Sequence, residues 1–210
     1  MLRILIADDH PVFRRGLKQI IQETSDMVVV DEAADGREAL RKAATGDYDV
    51  LLLDITLPFT NGVEVLSRLQ NERPALPVLM LSMHPEEQYA VRALRAGASG
   101  YLTKESAPEE LVAAIRKVST GGKYVSASLA EHLACIVQND GEALPHETLS
   151  NREHQVMCMI ASGQTVSAAA RELSLSVKTI STYRARVLPK LEMKNSAELI
   201  RYATKNQLVE

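Results

Sequence analysis

Within the first 120 residues, short apolar runs of β type alternate with amphipathic stretches of helical period. The runs cover 2–7, 27–30, 50–55, 78–83 and 100–103. Val50-Leu51-Leu52-Leu53 and Val78-Leu79-Met80-Leu81 are apolar at successive positions, as parallel strands covered on both faces require. Between them the spacing predicts helices at about 11–23, 36–45, 61–71, 86–96 and 107–119. Pro11 sits where a first-turn proline is tolerated, and Gly46 and Gly97 stand where helices would end. Five such βα units predict an α/β fold, a doubly wound, flavodoxin-like parallel five-stranded sheet. In sheets of this kind reactive groups gather beyond the carboxyl ends of the strands. That rule brings Asp8, Asp9, Asp54, Ser82 and Lys104 around one crevice.

From residue 120 to 148 the pattern loosens. Gly121-Gly122, Asn139-Asp140-Gly141 and Pro145 punctuate it, with a short helix allowed at 126–138, and the stretch reads as a linker. Ser150-Asn151-Arg152-Glu153 is then a capping-box signature opening a helix to about 162, closed by Gly163. Helices at about 166–173, 177–191 and 196–204 follow, giving a small all-α four-helix domain. Charge divides along the same line: residues 1–146 carry 15 Lys+Arg against 21 Asp+Glu, whereas 147–210 carry 9 against 6. An acidic front and a basic tail suit two domains, with a polyanion as a partner of the second. The expected organisation is 1–119, a linker at 120–148, and 149–210.

Other classes are excluded or disfavoured. No apolar run approaches the roughly 20 residues of a membrane span. Carboxylates at Asp8 and Asp9 come too early for a secretory leader, and Cys135 and Cys158 are too few for a disulfide framework or zinc cluster, so a cytoplasmic location is expected.

Three carboxylates at strand ends repel one another, and a hard divalent cation relieves that repulsion while leaving room for a phosphoryl oxygen. Asp54, so neutralised, can act as a nucleophile and form an aspartyl phosphate, with Lys104 and the Ser82 hydroxyl as donors to its oxygens. The plainer alternative has Asp8 and Asp9 capping the next helix and Lys104 in solvent. Five such residues at strand ends weigh against it. Phosphatases of the haloacid-dehalogenase type also use a strand-end Asp, but need a second Asp two positions on, where Thr56 stands. Thr56 and His84, each two residues beyond a site residue, are either ordinary loop residues or groups that govern access of water.

In the tail, helices at 166–173 and 177–191 joined by a three- to four-residue turn have helix-turn-helix proportions. At about 100° per residue, Ile180, Val187, Leu188 and Leu191 share the core side. Lys178, Ser181, Thr182, Ala185 and Pro189 lie opposite, flanked by Thr179 and Arg186. Short hydroxyls among cations suit a major groove, hydroxyls reaching base edges and cations holding phosphates. Arg184 falls near the apolar side and is expected to snorkel or pair with an acid, and Tyr183 to pack. On periodicity alone, docking of another protein remains an alternative. Pro189 predicts a kink or an end near Leu188.

Residues 1–119 resemble the receiver domain of two-component response regulators. The resemblance is carried in order by Asp8-Asp9-His10-Pro11, Asp54-Ile55-Thr56-Leu57-Pro58 with Asn61-Gly62, Ser82, Gly97-Ala98-Ser99-Gly100-Tyr101 and Lys104. The segment from Lys104 to Leu111 resembles the NarL/FixJ branch. It implies that Asp54 takes a phosphoryl group from a sensor histidine kinase. It further implies that Asp9, Asp54 and the Thr56 carbonyl bind Mg2+ or Mn2+, with Asp8 assisting through water. Ser82 and Lys104 would contact the phosphoryl oxygens, and Tyr101 would be a switch aromatic that turns inward. The chain would then be no enzyme beyond slow self-dephosphorylation. Residues 149–209 resemble the LuxR-type helix-turn-helix domain through Leu149-Ser150-Asn151-Arg152-Glu153, Ile160-Ala161-Ser162-Gly163 and Leu175-Ser176-Val177-Lys178-Thr179-Ile180. By that resemblance Lys178, Thr179, Ser181, Thr182, Ala185 and Arg186 face double-stranded operator DNA, and the last helix is a dimerisation face. The implied partners are a second copy, promoted by phosphorylation, and RNA polymerase. Ser167 departs from this pattern where many members carry a phosphate-contacting Lys.

Overall fold

The computed structural model describes residues 1–138, 144–206 and 208–209; the turn signal Asn139-Asp140-Gly141 lies outside them. The chain divides into two compact units, Met1–Ala130 and Glu131–Glu210. In the first, β1 (Leu2–Ala7), β2 (Met27–Ala33), β3 (Val50–Asp54), β4 (Val78–Ser82) and β5 (Gly100–Thr103) form one parallel sheet in the order β2-β1-β3-β4-β5. The helices are α1 (Pro11–Gln22), α2 (Gly36–Thr45), α3 (Gly62–Glu72), α4 (Glu86–Arg95) and α5 (Pro108–Ser119). Ile4, Ile6, Val50, Leu52, Leu79, Leu81 and Leu102 pack with Leu17 and Ile21 of α1 and Leu111, Ala114, Ile115 and Val118 of α5. Alternation along the strands sends Leu5, Leu51, Leu53, Met80 and Tyr101, equally buried, to the other face.

The strand order reverses between β1 and β3, so Asp8, just past β1, and Asp54, the last residue of β3, come out side by side. β2 is longer than its apolar run predicts. It is an edge strand, and its Asp31 and Glu32 find cations instead of a core: Lys42 lies 2.7 Å from Asp31, and Lys18 2.6 Å and Arg14 3.2 Å from Glu32.

The segment read as a linker carries α6 (Ala127–Gln138) and a 3-10 turn (Pro145–Thr148). The second unit then holds α7 (Asn151–Ala161), α8 (Val166–Glu172), α9 (Val177–Lys190) and α10 (Ser196–Lys205). The α7 capping box is formed, Ser150 taking the Glu153 amide and Glu153 the Ser150 amide. Val156, Ile160, Ala169, Leu173, Ile180, Val187, Leu191, Leu199 and Ala203 build its core, with Leu188 and Tyr183 packed against it.

Pro189 does not end α9 at Leu188. The helix runs to Lys190, and the Leu191 amide still donates to Val187 O at 3.0 Å. Pro189 stands one residue from the end, so it removes a single donor, while buried Val187 and Leu191 hold the last turn down. Lys190 turns back to Glu153, 2.6 Å away. Burial raises the Glu153 carboxyl, but Lys190 and the Ser150 donors outweigh it and hold it below its ordinary range. Arg184 is half-buried, as its position near the apolar side requires. Pro189→Ala restores the missing donor, so it is expected to stabilise the second unit by about 1–2 kcal/mol, raising its melting transition by roughly 5–10 °C in a thermal scan.

Candidate functional site

Asp54 is buried at the end of β3, its Oδ1 taking the Thr56 amide at 3.1 Å and its Oδ2 the Lys104 ammonium at 2.7 Å. Lys104, one residue past β5, also lies 2.6 Å from Asp8 Oδ2, so one cation sits between two buried carboxylates. Burial raises the Asp54 carboxyl; Lys104 lowers it and Asp8 raises it again, leaving it at about 6. Burial lowers the Lys104 ammonium, but Asp54 and Asp8 outweigh this and raise it above its ordinary value. At neutral pH the pair is therefore a carboxylate and an ammonium.

Asp9 is half-exposed at the rim. One donor atom from each of Asp8, Asp9, His10 and Asp54 lies within 4.8 Å of the others. Asp8 Oδ2 and Asp9 Oδ1 are buried, the first 2.6 Å from the Lys104 ammonium and the second 2.8 Å from His10 Nδ1. Hard carboxylate oxygens gathered this closely fit a divalent cation with several waters. Thr56, half-buried, stands two residues past the β3 end.

Ser82, the last residue of β4, is buried, and its Oγ takes the His84 amide at 2.9 Å, which leaves its hydroxyl hydrogen for another acceptor. Tyr101 is fully buried and already inward, donating from Oη to His84 O at 3.0 Å. The His84 backbone thus touches both. Phe13, which sequence reasoning passed over, sets its ring 4.8 Å from Lys104 Nζ. Only the fold could have disclosed it, because Phe13 and Lys104 come from opposite ends of the first unit. Asn61, part of the receiver pattern but given no role by it, is buried and caps α3 by taking the Val63 amide at 2.8 Å.

In the second unit, Thr165 and Ser176 cap α8 and α9, and Ser174, with φ 52°, makes the turn between them. Lys178, Ser181, Thr182, Ala185 and Arg186 are exposed and Thr179 half-buried along α9. Ser176, Lys178, Thr179, Thr182, Tyr183 and Arg186 line a shallow open hollow of about 290 Å³. The Ser181 and Thr182 hydroxyls donate back to the Val177 and Lys178 carbonyls at 2.9 Å, so lone pairs are what they offer outward. Among the described residues no helix is long and apolar enough to cross a membrane.

Two family models match: the response regulator receiver domain over residues 4–116, and the bacterial regulatory proteins of the luxR family over residues 147–203. The chain belongs to the two-component response regulators of the NarL/FixJ family, with a receiver domain and a LuxR-type DNA-binding domain. It is similar to the response regulator UvrY of Escherichia coli K12, 34% identical over 99% of this chain and 96% of that one. The oxygen regulatory protein NreC of Staphylococcus carnosus is 35% identical over the whole of both. Among solved structures, a LuxR-family two-component response regulator from Aurantimonas sp. SI85-9A1 is 37% identical, with a TM-score of 0.61, covering 64% of this chain and 96% of that one. RcsB from Salmonella enterica serovar Typhimurium, solved on promoter rprA with the phosphomimetic BeF3−, shares the fold with a TM-score of 0.66 at 24% identity, over 97% of this chain and 98% of that one. The protein is thus a transcription regulator.

Proposed function

We propose that Asp54 accepts a phosphoryl group from a phosphohistidine of a sensor histidine kinase, and that this changes domain arrangement, dimerisation and DNA binding. The observation that carries the reading is the buried Asp54 held between the Thr56 amide and the Lys104 ammonium, with two further carboxylates beside it. A carboxylate oxygen of Asp54 attacks phosphorus, the phosphorus–nitrogen bond breaks, and its electron pair leaves with the donor imidazole. Asp9, Asp54 and the Thr56 carbonyl would hold Mg2+ or Mn2+, with Asp8 assisting. The ion supplies positive charge that lets a carboxylate approach a phosphoryl group. Lys104 then turns from Asp8 and Asp54 to a phosphoryl oxygen, and the Ser82 hydroxyl donates to another. Because the His84 backbone bonds both Ser82 and Tyr101, movement of Ser82 is passed to the buried aromatic. Self-dephosphorylation of the acyl phosphate is slow.

The domains follow the division at 1–119, 120–148 and 149–210, with cytoplasmic operator DNA as the target. Lys178, Thr179, Ser181, Thr182, Ala185 and Arg186 present cations and hydroxyls to the major groove, and two copies read two half-sites. RNA polymerase is the further partner of a regulator bound there. A shift from 1% to 99% active needs only about 5.5 kcal/mol of bias, within reach of one covalent charge change.

Footprinting on genomic fragments with and without acetyl phosphate and Mg2+ tests both domains together. Protection of a paired site at lower protein concentration with the donor is expected; identical footprints would refute the coupling. Lys178→Ala is expected to weaken binding to all sequences and to lower the slope of log affinity against log salt by about one. A salt titration of fluorescence anisotropy checks this.

A further inference from the structure

We infer that His10 is a nitrogen donor to the cation of the acidic crevice, and that it biases the site from Mg2+ toward later divalent ions such as Co2+; this rests on reading that crevice as a cation site. His10 Nδ1 lies 2.8 Å from Asp9 Oδ1 and 3.3 Å from Asp8 Oδ1, so the ring edge is aimed into the carboxylates. Octahedral ligands at about 2.1 Å stand roughly 3–4 Å from one another. The donor atoms of Asp8, Asp9, His10 and Asp54, all within 4.8 Å, come close to that spread. A bare Nδ1 lone pair facing two carboxylate oxygens would be repelled, so that edge must carry either a proton or a metal.

The ring's contacts are with the crevice carboxylates and not with the helix it precedes. His10 is the N-cap residue of α1, yet its side chain makes no capping bond, and it is 60% exposed. Asp9 Oδ1, 2.8 Å from His10 Nδ1, and Asp8 Oδ2, 2.6 Å from Lys104, are the oxygens a metal entering beside His10 would draw on. Mg2+ prefers oxygen and sheds water reluctantly, whereas imidazole raises the affinity of the later first-row ions.

The test uses the full, metal-free chain. Titration calorimetry of Co2+ and of Mg2+ is run on the wild type, His10→Ala, His10→Gln and Asp9→Asn. Electron spin-echo modulation of the Mn2+-loaded protein reads directly bound nitrogen. Expected for both His10 variants is a loss of Co2+ affinity of about tenfold with Mg2+ affinity held within about twofold. The wild type should show nitrogen modulation that both variants lack. An unchanged Co2+ to Mg2+ ratio, or no nitrogen modulation, while Asp9→Asn still weakens both ions, overturns the role of His10 and leaves the cation site standing. If Asp9→Asn also binds both ions as the wild type does, the cation site itself fails.

Discussion

Asp54→Asn is expected to take up no phosphoryl group and, in the metal-free state, to be more stable than the wild type at neutral pH. Loss of uptake follows from chemistry: the amide that replaces the Asp54 carboxylate, between the Thr56 amide and the Lys104 ammonium, is no nucleophile. Incubation with acetyl phosphate and Mg2+ followed by a phosphate-affinity gel reads it directly. A shifted band on the variant would remove Asp54 from the reaction.

The stability gain follows from burial. Folding moves the Asp54 carboxyl from its ordinary 3.8 to about 6, with burial as the largest cause. An acid raised in this way binds its proton more tightly folded than unfolded. Its contribution is therefore fully present below 3.8 and is lost as pH rises through about 6. Above that range, ionised Asp54 costs the folded receiver on the order of 3 kcal/mol. The Asn side chain carries no such cost. The gap between variant and wild type should be about 3 kcal/mol at pH 7.5 and shrink to about 1 kcal/mol near pH 4.5. Mg2+ should narrow it at neutral pH, since an ion bound only by the folded wild type stabilises it. Denaturant titrations at the two pH values settle the matter; parallel stability–pH curves would mean that Asp54 ionises without strain.

What the sequence discloses about this fold follows from where the energetics are local. The all-apolar runs at Val50–Leu53 and Val78–Leu81 fit only strands covered on both faces, and that fixes the sheet and the strand-end crevice. The last three residues of β2 escape the same reading, because Asp31 and Glu32 are tolerated by edge position and by cations from α1 and α2. The prolyl penalty in α9 is local and correctly signed, yet tertiary burial of Val187 and Leu191 carries the helix past it. In the crevice, strand-end carboxylates are visible along the chain. The clasp of Lys104 by Asp8 and Asp54, the Phe13 ring beside it and the bond of Tyr101 to the His84 carbonyl are not, since each joins elements far apart in sequence.

Gly62→Ala is expected to be the most damaging small substitution in the receiver. Gly62 opens α3, where its amide donates to Ile55 O at 2.9 Å. A Cβ there would stand 2.0 Å from the Asp54 carbonyl oxygen, 2.9 Å from its carbonyl carbon and 3.0 Å from Ile55 Cα. All three are backbone atoms, so no rotamer relieves the clash; α3 or the β3 end must move by about 1 Å. That displacement breaks the Gly62–Ile55 bond and shifts Asp54 and Thr56 away from Lys104. Overpacking of this kind costs about 3 kcal/mol. Phosphoryl uptake should fall at least tenfold as well, because misplacement of about 1 Å at a reacting group is worth up to about 100-fold. Gly16→Ala is the control: its Cβ meets nothing within 4 Å, and the residue lies exposed inside α1. Helix propensity alone should then stabilise the receiver by about 0.5–1 kcal/mol. Opposite signs for two Gly→Ala changes, read by thermal melting and by the gel assay, distinguish the close approach at Gly62 from any general effect of removing a glycine.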